Sequence, residues 1–209
     1  AATAAALRDS LPWPRAAVIQ ATATSFGPAL GLSACAGLWR YMAAAYTPVA
    51  VPHAIADGLW WAAATVAVAT AAAFAARLAI APAAVAADVR DNRAANFFFA
   101  PVLVGATLTA AAPAAVASPA AAAAVFWVAL VAQLSLTLAL YGEWLFGASR
   151  SLRRAHPSYF MAVIGFFLIA RLGARLGDAE RAVASFAFSI GTLFWAQLFT
   201  TLFTSLSSV

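Results

Sequence analysis

Six runs of apolar residues, each about as long as the ~20 helical residues needed to cross ~30 Å of hydrocarbon, divide nearly the whole chain. They cover about residues 25–46, 55–81, 95–116, 121–146, 158–176 and 181–205. Of the 209 residues, 65% are hydrophobic and 9% charged, against ~45–50% and ~25% in ordinary soluble domains. Too few charges remain to coat a water-facing surface. A soluble enzyme, a disordered chain and a collagen-like fibre are excluded. Ala, the commonest residue, forms helices well and permits close helix contact. The polar–apolar alternation of a membrane β-barrel is absent. The expected fold is an all-α membrane protein of six transmembrane helices paired as three hairpins. Residues 1–24 are read as a cytoplasmic-side N-terminal segment, and 25–209 as the transmembrane domain.

Turn signals fall in every gap. Thr47-Pro48 and Val51-Pro52-His53 follow the first run, and a charged loop from Asp88 to Arg93 follows the second. Ser118-Pro119 marks a tight hairpin, Gly147 to Pro157 a longer connection, and Gly177-Asp178 a helix stop followed by an N-cap. Arg8, Arg15, Arg90, Arg93, Arg150, Arg153 and Arg154 fall on one side if all six runs span, which makes that side, with the N-terminus, cytoplasmic.

Little in the sequence supports catalysis. His53 and His156 are isolated, Cys35 is alone, and neither a metal-ligand spacing nor a Gly-rich phosphate loop is present. No enzyme activity, metal or cofactor is expected. The net charge of +5 comes from Arg without a soluble basic face, so nucleic acid is not an expected partner. Transport fits better. The odd-numbered runs carry breaks that free backbone carbonyls, which only a protein contact or a wet cavity can satisfy. These are Phe26-Gly27-Pro28 with Gly31 and Ser33, Phe99-Ala100-Pro101, and Gly165 with Gly173. Each small residue equally suits close helix packing. Phe160, Ile164, Phe167 and Arg171 share one helical face. Arg171 either snorkels to the interface or stands at a pore mouth. The Phe-rich run is either an interfacial anchor or an apolar plug.

Several motifs resemble one family. Arg90-Asp91-Asn92-Arg93-Ala94-Ala95-Asn96-Phe97-Phe98-Phe99-Ala100-Pro101 resembles the start of the third helix of plant slow-type anion channels, members of the tellurite-resistance/dicarboxylate transporter family. Gly31-Leu32-Ser33 with Leu38-Trp39 resembles the first helix. Tyr141-Gly142-Glu143-Trp144-Leu145, with Gly147, Arg150 and Leu152, resembles the end of the fourth. Pro157-Ser158 and Val163-Ile164-Gly165-Phe166-Phe167 resemble the start of the fifth. The similarity covers about residues 25–205.

The resemblance implies a five-hairpin channel fold, of which this chain holds three hairpins. Odd helices would line a pore in each subunit of a homotrimer, and chloride- or nitrate-like anions would pass. Phe167 stands at the family's occluding Phe of the fifth helix, and a kinase would be an activating partner. The resemblance departs at Arg171, where the relatives are apolar, and at the absent ninth helix with its gating Phe. The chain is therefore expected to be part of a longer protein, with association or a structural-subunit role as alternatives.

The expected function is a passive anion channel in a lipid bilayer, the plasma membrane rather than an organelle. Phe167 is the expected gate. Phe26, Pro28, Gly31, Ser33, Phe99, Pro101, Gly165 and Arg171 are the expected lining, and Arg90, Arg93, Arg150, Arg153 and Arg154 an anion-attracting cytoplasmic mouth. Two alternatives stay open. One is a proton-coupled carboxylate carrier using Asp57 and Glu143, and the other a non-conducting subunit of a larger complex.

Overall fold

The structure is a computed structural model that describes residues 18–45, 52–91, 94–146 and 157–207. Among these there are helices and turns but no strand. A 3-10 turn, Ala23–Phe26, leads into α1, Gly27–Ala45, and α2 runs over His53–Ile80. The short α3 spans Pro82–Arg90. A second 3-10 turn, Ala95–Phe99, leads into α4, Ala100–Ala110, and α5 follows as Pro119–Phe146. A third, Pro157–Tyr159, leads into α6, Phe160–Gly173, and α7 covers Asp178–Ser207.

All six expected segments are helical, but they are not alike. His53–Ile80, Pro119–Leu140 and Asp178–Thr201 are long and apolar enough to cross a membrane. By contrast α4 has 11 residues and α6 has 14, which rise about 16 and 21 Å at 1.5 Å per residue. With the 3-10 turns that lead into them, the helical stretches run over 95–110 and 157–173, so the third ends six residues and the fifth three residues before the apolar runs do. Pro113 explains the first case. Its ring clashes with the carbonyl four residues back and biases Ala112 away from the helical region, so α4 stops at Ala110. The chain then turns, and Ser118 caps the start of α5 through its carbonyl to Ala122 N (2.9 Å) and its hydroxyl to Ala121 N (3.3 Å). A second correction concerns the loop expected at Asp88 to Arg93. Residues up to Arg90 belong to α3, which Pro82 starts at a position where a missing N–H costs nothing. Most of the expected N-terminal segment, residues 1–17, lies outside the described residues.

Lipid gives apolar helices no reason to associate, so small residues and polar bonds hold the bundle. Ala29 and Ala36 of α1 and Ala56 and Ala63 of α2 are wholly buried in the first hairpin. Gly173 and Gly191 do the same for α6 and α7. A Cβ on Gly173 would stand 2.8 Å from the Ala184 Cβ, and one on Gly191 2.9 Å from the Phe166 Cβ. Central α4 packs on α1, α2, α5 and α6. Its Thr107 hydroxyl lies 2.7 Å from that of Ser33, and Trp60 Nε1 donates to the Leu108 carbonyl (2.8 Å). Helices α1, α4 and α6 thus form an arc. The long helices flank it, with α2 on α1 and α4, α5 on α4 and α6, and α7 on α6. Exposed Val68, Leu138 and Leu193 on these outer helices suit contact with lipid.

Candidate functional site

Helix α6 buries Ala162, Val163, Gly165, Phe166, Ile169, Ala170, Leu172 and Gly173 against its neighbours. Phe160, Ile164, Phe167 and Arg171, the four residues whose spacing marks one helical face, are left open or partly open, as are Met161 and Leu168 beside them. Phe166 turns inward and stacks on Phe194, with ring centres 6.3 Å apart. Phe167 turns outward and meets the edge of Phe188 at 5.3 Å. Phe167 and Arg171 line a groove of about 460 Å³ with Ala170, Ala174, Ser185 and Phe188, among others.

Above this groove, arginines gather at the C-terminal end of α4. Arg40 Nε donates to the Ala111 carbonyl (3.2 Å), and its Nη2 pairs with Asp57 Oδ1 (2.7 Å). Arg175 Nη1 donates to the Ala110 carbonyl (2.7 Å). Both guanidiniums therefore satisfy carbonyls at the negative end of a helix, where a cation is favoured. The Arg171 guanidinium lies over Gly37 of α1. A Cβ there would stand 2.7 Å from Nη2 and 3.0 Å from Nη1. Arg171 thus reaches across the arc to α1.

The other expected lining residues do not share one surface. Phe26 is buried with Ala67, Ala100 and Val104, and its ring lies 6.1 Å from that of Phe74. Phe99 is fully buried with Leu103 and Ala162, and Ser33 is buried in its bond to Thr107. Gly165 faces α5, where a Cβ would overlap the Gln133 amide. Pro101 borders an apolar groove of about 340 Å³ with Gly105, Ala124 and Val128. Pro28 and Gly31 lie on the exposed side of α1. At the other end of the arc the three 3-10 turns adjoin, and Asn96 Nδ2 donates to Ser158 Oγ (3.4 Å). Arg90 is exposed at the end of α3, while Arg93, Arg150, Arg153 and Arg154 lie outside the described residues.

Two buried polar groups were not anticipated as partners. Gln133 Nε2 donates to the Ala162 carbonyl, while its Oε1 and the Thr137 hydroxyl find no partner among the described residues. A Gln and a Thr four apart in an apolar run are the signal that could have found this face of α5. The Asp57 carboxylate is engaged by Arg40, and the side chain of Glu143 lies outside the described residues. No group of three His, Cys, Asp or Glu able to hold a metal occurs among the described residues.

The chain is similar to known proteins over almost its whole length. The family model described as SLAC1, voltage-dependent anion channel, matches residues 20–209. S-type anion channel SLAH2 of Arabidopsis thaliana is 29% identical over 201 residues, covering 94% of this chain and 38% of that protein. S-type anion channel SLAH3 of the same plant is 28% identical over 201 residues, covering 94% and 31%. The chain therefore spans about a third of the length of these curated relatives.

Proposed function

The chain belongs to the SLAC1 family of voltage-dependent anion channels, and on that premise we propose that it forms part of a passive pathway for small inorganic anions. The observation that carries the proposal is the open face of α6. There the partly open Phe167, its ring against the edge of Phe188, is followed one turn on by Arg171, whose guanidinium lies over Gly37 of α1. In a pore, an aromatic side chain gates by bulk and dewetting, and an arginine beside it favours anions over cations. Charge at both ends supports the sign of the cargo. Helices α1, α4 and α6 begin side by side, so three positive helix ends share one side. Arg40, Arg171 and Arg175 stand near the other ends, with Asp57 offsetting one of them.

Phe167 is the gate in this reading. Phe167→Ala should raise anion current in the full-length protein reconstituted in planar bilayers, with reversal potentials that follow the anion gradient. Unchanged current in a well-folded variant would remove Phe167 from the role. Absence of any anion current from the parent protein would remove the channel reading. The engaged carboxylate of Asp57 favours a channel over a proton-coupled carrier. Homotrimeric assembly, an activating kinase, a plasma-membrane location and a cytoplasmic N-terminus complete the proposal. The last rests on the arginines of the N-terminal segment and of the second and fourth connections.

A further inference from the structure

A groove of about 310 Å³ lies between the outer helices α5 and α7, floored by Phe166 and separate from the one that Phe167 borders. Leu138 and Leu193 on its walls are largely exposed, so the groove opens towards lipid. Thr137 and Gln197 are its polar residues, and no charged side chain borders it. Helices α5 and α7 run parallel, tied near their starts by Trp127 Nε1 donating to Glu180 (3.2 Å). Thr137 stands three residues before Leu140 and Gln197 four before Thr201, where the two apolar stretches end. Both polar groups therefore sit at one depth, about 5–6 Å inside the end of the span.

Neither finds a partner in the protein. On α7 the hydroxyls of Thr192, Thr200, Thr201 and Thr204 each donate to the carbonyl four residues back. Thr137 is 3% exposed, and its hydroxyl makes no such bond and no other among the described residues. A helical Thr divides between two χ1 rotamers, so this hydroxyl is able to turn to an acceptor in the groove. The Gln197 side-chain amide is exposed and makes no hydrogen bond among the described residues. Polar groups left unmet in hydrocarbon are costly, which favours any ligand that meets them. The groove thus offers an O–H and an N–H donor at the membrane edge, above an apolar channel that runs about 10 Å along α7 from Gln197 to Ile190. The complementary ligand is uncharged where it touches the protein, carries acceptor oxygens at that depth and trails a chain towards the midplane. The ester carbonyls of a diacyl lipid, at the border of its headgroup and its chains, have this chemistry.

We propose that the groove between α5 and α7 binds the glycerol-ester region of a membrane diacyl lipid, with Thr137 and Gln197 donating to ester carbonyls and one acyl chain lying over Phe166. The site goes beyond the channel reading and stands independently of it.

The test uses the full-length protein, delipidated in a neutral maltoside detergent. Its melting temperature is measured against dioleoyl phosphatidylcholine and against the dioleyl ether analogue, which has the same head and chains but no carbonyl. The ester lipid should raise the melting temperature saturably and the ether lipid less. Exchange of the choline head for ethanolamine or glycerol should leave that preference in place. T137V and Q197L should each weaken the apparent affinity for the ester lipid about threefold, as loss of one neutral hydrogen bond does. The double variant should respond equally to ester and ether. T137V keeps the side-chain shape and Q197L adds an apolar group facing lipid, so both should melt like the parent in detergent alone. S135A, which removes an exposed hydroxyl from another face of α5, should leave the ester preference intact. L138W, which fills the groove, should reduce the response to both lipids.

Equal responses to ester and ether in the parent protein would overturn the proposal. So would an ester preference that survives in the double variant, a preference that follows headgroup charge, or stabilisation by a sterol in place of the ester lipid. A change of oligomeric state in L138W with the lipid response unaltered would also overturn it, assigning the groove to a second copy of the chain.

Discussion

Gly165→Ala gives a sharp test of how α5 and α6 hold together. In an isolated helix this change is favourable by about 0.8–1.0 kcal/mol. Here the added Cβ would occupy the space of the Gln133 side-chain amide, which lies over the glycine. Gln133 must swing away and release the Ala162 carbonyl. A side-chain hydrogen bond within a membrane contributes about 0.6 kcal/mol on average and up to about 1.7. Forcing extra volume into a filled contact costs about 1–3 kcal/mol. The balance after the helix gain is a net loss of about 1–3 kcal/mol. Gln133→Ala alone should cost about 1 kcal/mol, because it removes one hydrogen bond and an unpaired Oε1 together. The double variant should then be nearly as stable as Gln133→Ala, with a coupling of at least about 1 kcal/mol between the two sites. Reversible unfolding in mixed detergent–SDS micelles measures all four corners of this cycle. A Gly165→Ala variant as stable as the parent, or strictly additive effects, would refute the packing account and return Gly165 to the pore.

Thr107→Val keeps the shape of the side chain but removes its bond to Ser33, and should destabilise by about 0.6–1.7 kcal/mol in the same assay. Adding Ser33→Ala to it should then cost little more. Asp88→Asn should lose about 1–3 kcal/mol, because it leaves Arg77, with 5% side-chain exposure, without its counter-charge at 2.6 Å. That is less than a fully buried pair would lose, since the Asp88 side chain remains 25% exposed. A proteolysis assay on the loop after α3 should show faster cleavage in Asp88→Asn if the pair holds α3 against α2.

The outer helices were legible in the sequence because length and hydropathy alone decide them. Nothing interrupts the apolar runs of α2, α5 and α7. The open stripe of α6 was also legible, since spacings of four, three and four residues place Phe160, Ile164, Phe167 and Arg171 on one face whatever the neighbours are. Helix α4 was misjudged because hydropathy continues past Ala110 while the backbone cannot, Pro113 having removed the next turn. Gly165 illustrates a different limit. A small residue in a membrane helix faces either a cavity or a close neighbour. Here the neighbour is Gln133, on a helix distant in sequence, and its identity follows only from the packing. The arginines behave the same way. Arg40 and Arg175 find their roles on the carbonyls of Ala110 and Ala111, which exist as acceptors only because α4 ends there.

The brevity of α4 bears on how voltage acts on this molecule. Eleven residues rise about 16 Å, roughly half of the ~30 Å hydrocarbon layer. If water reaches both ends of that helix, the insulating part of the path shrinks to the same length. The electric field then steepens about twofold for a given membrane potential, while its full work on one charge stays near 2.3 kcal/mol per 100 mV. A charge carried through a few ångströms beside α4 would feel about twice the work it would feel over the same distance in the full layer. A displacement of Arg171 or of a bound ion would register in the energetics as strongly as one about twice as long does in the full-thickness barrier.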